Sequence, residues 1–284
     1  MNHHPKDSWP VVLTIAGFDP SSGAGIAADL KTLAAHGCYG VAAITALTIQ
    51  NTQGVMAVYP TVPTVLKETI AALLADGQVK AIKIGMLANR ANAEVVDEVL
   101  ASHPEIPSVL DTVFRSSSGK DLADAACQEF LREQLMKRAT VITPNIFEAS
   151  AMTGLRVENL EEMKTAALRL AEMGARAVVV TGGHLDKPID VLVEGPSLEV
   201  FAGDHAKPDN THGAGCTFSS AMAANLAMGR QLRDSVVLAK AYVTEAVRKA
   251  YGVGPGRVPL NHLFRMMQPA RVADHFAAVS DTAP

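Results

Sequence analysis

Between residues 11 and 251 short continuous apolar runs alternate with segments of helical period, and no other property of the sequence limits its fold so tightly. Residues 11–16 read VVLTIA, apolar at consecutive positions as in a strand covered on both faces of a parallel sheet. Comparable runs stand at 41–48, 81–84, 109–110, 140–143 and 177–181. Between them, residues 26–36, 62–74, 92–102, 121–137 and 159–173 read as helices, and two more are expected from Cys216 and over 232–251. Residues 189–193 and 198–201, parted by Gly195-Pro196, predict a hairpin. Such alternation predicts an α/β chain with a mainly parallel central sheet and helices on both faces. Neither a repeat nor a linker divides it, so a single domain over residues 11–284 is expected behind a disordered arm at 1–10.

Composition narrows the partners. The formal net charge is −4, without a basic footprint, so nucleic acid is not expected. No apolar run reaches the 18 or so residues of a membrane span, and the polar start MNHHPKDSWP lacks the apolar core of a signal peptide. Cys38, Cys127 and Cys216 are odd in number, far apart and without metal-ligand spacing. They point to a reducing compartment, and hence to the cytoplasm, rather than to a disulfide framework.

Chemistry-bearing residues collect just after the expected strand ends: Asp19, Gln50, Met86, Asp111, Asn145 with Glu148, and Gly182-Gly183. Ligands of open α/β sheets bind there, so one shared active site is predicted. The most informative stretch, residues 210–228, reads NTHGAGCTFSSAMAANLAM. Its turn, Gly213-Ala214-Gly215-Cys216, opens a helix with Phe218, Met222 and Leu226 at every fourth position. A helix N-terminus offers unpaired N–H groups and a favourable dipole to an anion, and glycine lets the backbone approach it. A phosphate site is expected, with Cys216 placed where the helix field would favour a thiolate able to act as base. The plainer alternative is a glycine loop with a buried structural cysteine.

Other motifs compete. Gly23-Ala24-Gly25-Ile26-Ala27-Ala28 fits the G-x-G-x-x-A dinucleotide pattern, but Phe18 to Ser22 intervene after the strand and Gln50 stands where a ribose would want an acid. An NAD-dependent oxidoreductase is therefore the disfavoured alternative. Ser118-Gly119-Lys120 fails as a Walker A tail, because Phe114 and Asp121 occupy its defining positions. Asp111, Asn145 and Glu148 could supply oxygen ligands to magnesium, and they serve equally as turn and capping groups.

In order, LTIAGFDPSSGAGIAADLKT, ITALTIQNTQGV, KIGML, LDTVFRSSSG, ITPNIFEA, TGGH and NTHGAGC resemble the hydroxymethylpyrimidine/phosphomethylpyrimidine kinases of thiamine biosynthesis, over residues 11–252. The resemblance implies a ribokinase-like three-layer fold and a single kinase domain. It implies ATP-dependent phosphorylation of the hydroxymethyl group of 4-amino-5-hydroxymethyl-2-methylpyrimidine, then of the monophosphate. Mg²⁺ and a homodimer are part of it. By resemblance Cys216 is the general base, and the N–H groups of Gly213, Ala214, Gly215 and Cys216 hold the transferred phosphoryl group. Gln50 reads the pyrimidine, Gly17, Asp29 and His212 lie beside it, and Met86 and Val113 wall it. Asp111 and Glu148 organise Mg²⁺–ATP, while Asn145, Thr181 and Gly183 border the nucleotide. Two departures stand out: Ser117 replaces a lysine that the family often carries, and Phe18 replaces a small residue. The nearest alternative is a pyridoxal/pyridoxine kinase of the same fold, in which His212 and Cys216 would engage the aldehyde. A non-catalytic nucleotide-binding regulator is a further one.

Overall fold

The computed structural model describes residues 9–183, 185, 188–204, 206–207 and 211–266. Residues 1–8 of the expected arm, Asn210 of the glycine-rich stretch and residues 267–284 of the expected domain lie outside the described residues. Nine strands form one sheet in the order β3-β2-β1-β4-β5-β6-β7-β8-β9. Strands β1 (Val11–Phe18), β2 (Tyr39–Asn51), β4 (Val79–Ile84), β5 (Ser108–Leu110), β6 (Val141–Ile142) and β7 (Ala177–Gly182) run parallel. Antiparallel strands extend both edges: β3 (Gly54–Pro60) pairs with β2, β8 (Ile189–Glu194) with β7, and β9 (Ser197–Ala202) with β8.

Period-two alternation divides the sheet residues between two apolar layers. Leu13, Ile15, Ile82, Ile84 and Leu110 face helices α2 (Pro63–Asp76), α3 (Arg90–Ser102), α6 (Ile146–Thr153) and α7 (Leu160–Glu172). Val12, Ala81, Val109 and Val179 face α1 (Gly25–Ala35), α8 (Ala214–Ala227) and α9 (Leu232–Arg248). The result is the expected three-layer arrangement. Thr14 and Lys83 share the parity of Val12 and Ala81 and so point into the α1–α8 layer, where both are wholly buried.

Helix α8 is the most enclosed helix of its layer: every residue from Thr217 to Asn225 is buried, against α1, α9 and strands β1, β4 and β5. Its Ala and Ser side chains permit that close approach. The chain leaves β1 toward β2 on one side and returns through β4 on the other, so the switch point lies at the carboxyl ends of β1 and β4.

Three expectations need correction. The helix expected over 121–137 starts at Ala125, because Asp124 caps it through the Cys127 N–H and Leu122 is held by the Phe114 carbonyl. This helix, α4 (Ala125–Phe130), passes through a π turn (Leu131–Leu135) into a last short piece, α5 (Met136–Arg138). Helix α6 was not among the expected helices; Asn145 and Glu148, read in the sequence also as capping groups, start it with a reciprocal capping box. Strand β3 was not foreseen; its GVMAVYP pairs with β2 although several of its side chains are exposed.

Candidate active site

The α8 turn begins with Gly213 in the left-handed region at φ 92°. A Cβ there would lie 1.8 Å from the Gly23 carbonyl oxygen, so only glycine lets the turn close on the loop after β1. Gly25 is under the same restriction at φ +55°, with the Gly17 carbonyl 2.2 Å from where its Cβ would be. Gly215 is exposed, and the carboxylate oxygens of Asp111 stand 3.8 Å from its would-be Cβ. The first N–H groups of α8 have no intrahelical acceptors, and Asp111 lies beside the turn that carries them.

Beneath this turn lies an ion pair. Lys83 Nζ donates to both oxygens of Asp29 at 3.0 and 2.9 Å, and neither side chain is exposed. Thr14 Oγ1 donates to Asp29 at 2.6 Å and Ser220 Oγ at 2.8 Å. Asp29 was expected beside the substrate, but all these bonds are internal and its burial is complete. Its place is one layer down, tying α1, β1, β4 and α8 together. Burial opposes the charge on Lys83, yet Asp29, Cys216 and Asp111 together hold its pKa above the usual lysine range.

Cys216 is half-buried, one turn before Ser220. Desolvation pushes its thiol up to about 12, against the lowering effect of Lys83 and of the Gly25 N–H. The expected resting thiolate is therefore not found: loss of hydration outweighs the helix field. Asp111 is also raised, first by burial, although Lys83, Ser219 and Cys216 each act to lower it. Ser219 Oγ lies 3.2 Å from Asp111 Oδ2.

Glu148 is buried, accepts from the Asn145 N–H at 3.0 Å and from Thr112 Oγ1 at 3.1 Å, and is pushed up to about 8 by burial and then by Asp111. The side chain of Asn145 is spent on capping, at 2.9 Å from the Phe147 N–H and 3.0 Å from the Glu148 N–H. Thr181, half-buried at the end of β7, donates its N–H to the Pro144 carbonyl, which places the loops after β6 and β7 side by side. Gly183 follows and is exposed.

On the other side of the turn, His212 lies on a two-residue strand, β10 (Thr211–His212), paired with β11 (Val258–Pro259). Its Nε2 is 3.0 Å from Asp19 Oδ2 and 3.1 Å from Gln50 Nε2, and its Nδ1 is 2.9 Å from Ser117 Oγ. Burial acts to raise Asp19, but the bonds from His212 and Ser21 hold it below the ordinary carboxylate range. Thr48 Oγ1 sits 3.2 Å from Gln50 Oε1. Gly17 fits against Met86, whose sulfur would be 2.8 Å from a Cβ at that position. Met86 belongs to a small apolar cluster with Ala46 and Ala88, flanked by Val113.

The fold therefore brings Gln50 to His212 at the start of the α8 turn, sets Asp111 beside Gly215 in that turn with Glu148 close enough to feel its charge, and packs Gly17 against Met86, which clusters with Val113. It also removes the dinucleotide alternative: Asp19 accepts from the Gly23 and Ala24 N–H groups at 3.2 and 2.9 Å, leaving them no pyrophosphate to bind. Lys83 and Ser220 escaped selection from the sequence, and Asp19 was read there only as a polar group after the first strand. A lysine inside the buried run of β4 was a signal that a partner existed, though not which one. The segment beyond Tyr251, which carried no motif, supports the turn: Arg257 donates its N–H to the Thr52 carbonyl at 2.7 Å, and His262 Nε2 lies 3.1 Å from Thr217 Oγ1.

The chain is similar to known proteins. A hydroxymethylpyrimidine/phosphomethylpyrimidine kinase of Aquifex aeolicus is 42% identical over 248 residues, 87% of this chain and 97% of its own. A phosphomethylpyrimidine kinase of Clostridium difficile superposes with a TM-score of 0.72 at 38% identity, over 84% of this chain and 99% of that one. The pyridoxal kinase of Staphylococcus aureus in complex with AMP-PCP and pyridoxal gives a TM-score of 0.81 at 32% identity, over 90% and 94%. The profile of the phosphomethylpyrimidine kinases matches residues 19–261, from the aspartate behind His212 to the segment that supports the α8 turn, and the chain belongs to that family.

Proposed function

We propose that the chain is an ATP-dependent kinase that phosphorylates the hydroxymethyl group of 4-amino-5-hydroxymethyl-2-methylpyrimidine, and then the monophosphate to the diphosphate. One observation carries this reading: the α8 turn stands between an amide suited to an aminopyrimidine and a pair of buried carboxyl groups. Gln50 can donate to a ring nitrogen and accept from the exocyclic amine. Gly17, Met86 and Val113 offer the ring an apolar wall. The N–H groups of Gly213, Ala214, Gly215 and Cys216 would hold the moving phosphoryl group, where most of the catalysis of such a transfer lies.

Cys216 is the proposed base. With its thiol at about 12, the thiolate is scarce at neutral pH, and the alcohol proton has to leave in step with P–O bond formation. A loose transition state permits this, because the nucleophile is little bonded when the γ-phosphate departs. ATP as donor is supported by the similar pyridoxal kinase solved with AMP-PCP, and Asn145, Thr181 and Gly183 are assigned to the nucleotide side.

Asp111 and Glu148 suit magnesium. Glu148 is raised by burial and then by Asp111, and Asp111 by burial and by Asp29, so a cation would relieve what opposes their ionisation. Among the described residues no group of three acidic, His or Cys side chains could hold a metal alone. Mg²⁺ fits such a site, since it uses one or two carboxylates with water and phosphate oxygens and would neutralise charge on the phosphates.

The second reading is pyridoxal kinase, favoured by the similarity to the Staphylococcus aureus enzyme. A homodimer is also part of the proposal: Leu47, Ile49, Met56 and Tyr59 are all exposed on the β2–β3 edge, more apolar surface than a free edge usually shows. Among the described residues no helix is long and apolar enough to cross a membrane, and three free cysteines support a cytoplasmic setting. An ADP-release assay with Mg–ATP, offering the hydroxymethylpyrimidine, its monophosphate and pyridoxal separately, tests the reading. Turnover of both pyrimidines is expected; turnover of pyridoxal alone would overturn it.

A further inference from the structure

We propose that His212, held between Asp19 and Ser117, receives the phosphate group of the monophosphorylated pyrimidine, so that the second phosphorylation leans on a part of the site that the first leaves unloaded. The inference rests on the kinase reading above and assigns its second step to particular residues.

His212 occupies the required place. It immediately precedes Gly213, the residue that opens the phosphoryl-holding turn, and its ring touches the amide assigned to the pyrimidine, Gln50 Nε2, at 3.1 Å. The phosphate that esterifies the substrate hydroxyl must lie between the ring and the turn, and His212 links the two by touching Gln50 and preceding Gly213. The imidazole is fixed rather than free. Asp19 Oδ2 is 3.0 Å from Nε2, and Asp19 is itself held by the Ser21 N–H and hydroxyl at 2.8 and 2.7 Å and by the Gly23 and Ala24 N–H groups. The ring edge lies against Gly23, where a Cβ would meet Cδ2 at 2.6 Å.

Each ring nitrogen faces an oxygen, Asp19 Oδ2 at Nε2 and Ser117 Oγ at Nδ1, and Nε2 also faces Gln50 Nε2. Ser117 Oγ, 2.9 Å from Nδ1, keeps its own proton to donate when it accepts from the ring. Two basic side chains are engaged elsewhere: Arg115 Nε donates to Asp121 at 2.7 Å and Lys31 Nζ to the Ser22 carbonyl at 2.5 Å.

The two steps make different demands. In the first, an alcohol oxygen attacks the γ-phosphorus and its proton must go to a base. In the second, a non-bridging oxygen of the substrate phosphate attacks, a new P–O–P link forms, and the P–O bond to ADP breaks with its electron pair leaving on ADP. A phosphate monoester is mostly dianionic at neutral pH, with a second pKa of about 6, so its attacking oxygen has no proton to lose. What that step needs is donors to hold one anion close to another.

Initial rates on the hydroxymethylpyrimidine and on its synthetic monophosphate, each with Mg–ATP, give a ratio of second-step to first-step kcat/KM. We expect that ratio to fall about thirtyfold in His212→Asn and about fivefold in Ser117→Ala, chiefly through KM for the monophosphate. Adding Ser117→Lys to His212→Asn supplies N–H donors at the same place and should recover most of the loss. Ser117 is exposed, so its alanine variant decides the matter if His212→Asn folds poorly. A ratio unmoved in Ser117→Ala and in His212→Asn, with both activities present, overturns the inference and spares the kinase reading. A wild-type protein that turns over only the alcohol also overturns it, and one that turns over neither pyrimidine overturns both.

Discussion

At the scale of single residues, burial and function pull against each other around the α8 turn. Cys216 pays for its enclosure with a thiol near 12, which sets a pH dependence. A base must be deprotonated to act, so below that value phosphorylation of the alcohol should rise with pH, approaching tenfold per unit between pH 6 and 9 while chemistry limits the rate. Phosphorylation of the monophosphate should be much flatter. For the same reason Cys216→Ser should lower kcat on the alcohol by about two orders of magnitude or more and leave ATP affinity nearly unchanged. Full turnover in that variant would remove Cys216 from the chemistry. Glu148 shows the opposite conflict. It ionises near 4.5 when unfolded and near 8 in the fold, so the unfolded chain gives up the proton first and stability falls as pH climbs between those values. Glu148→Gln keeps a capping-box side chain and loses the charge. It should gain on the order of 2 kcal/mol over wild type at pH 8.5 and little at pH 5, read from denaturant unfolding at both pH values.

At the scale of elements, the site depends on how α8 is seated. Its first turn is held from above by β10 and the segment through His262, and from below by the Lys83–Asp29 pair through Ser220. Such a pair is weak evidence of net stabilisation, but breaking it strands a buried charge. Lys83→Met should therefore cost about 3–5 kcal/mol, while Lys83→Met combined with Asp29→Asn should cost clearly less than the two single changes added together. Strict additivity in a urea-denaturation cycle would show that the pair does not act as a unit. Neighbouring α6 was not listed among the expected helices, although Asn145 and Glu148, read as metal, turn or capping groups, do form the cap that starts it.

For the whole molecule, the β2–β3 edge is the surface that the fold leaves unexplained by its own core. Leu47 is 53% exposed, Met56 58% and Tyr59 59%, and in the proposed homodimer they meet a second copy. Leu47→Asp with Tyr59→Asp should shift the protein from dimer to monomer in light scattering at micromolar concentration. A monomeric wild type would end that proposal without touching the kinase reading. The hairpin carrying this edge also carries Gln50 and, at Thr52, the support for the segment before β11, so dissociation should also raise KM for the pyrimidine.

The sequence by itself determined the layered sheet, the position of the α8 turn and the residues that follow the strand ends. These are local properties: apolar periodicity, glycine placement and the order of motifs are written along the chain. It could also name Gln50, Cys216, Asp111 and Glu148 as candidates, because their motifs carry them. Only the tertiary structure decided that Asp29 lies beneath the α8 turn, and that Asp19, His212 and Ser117 meet although 193 residues separate the first two and 95 the last two. It also decided that Cys216 rests as a thiol. Each of these follows from which side chains lose water together, and that is fixed only when distant segments pack.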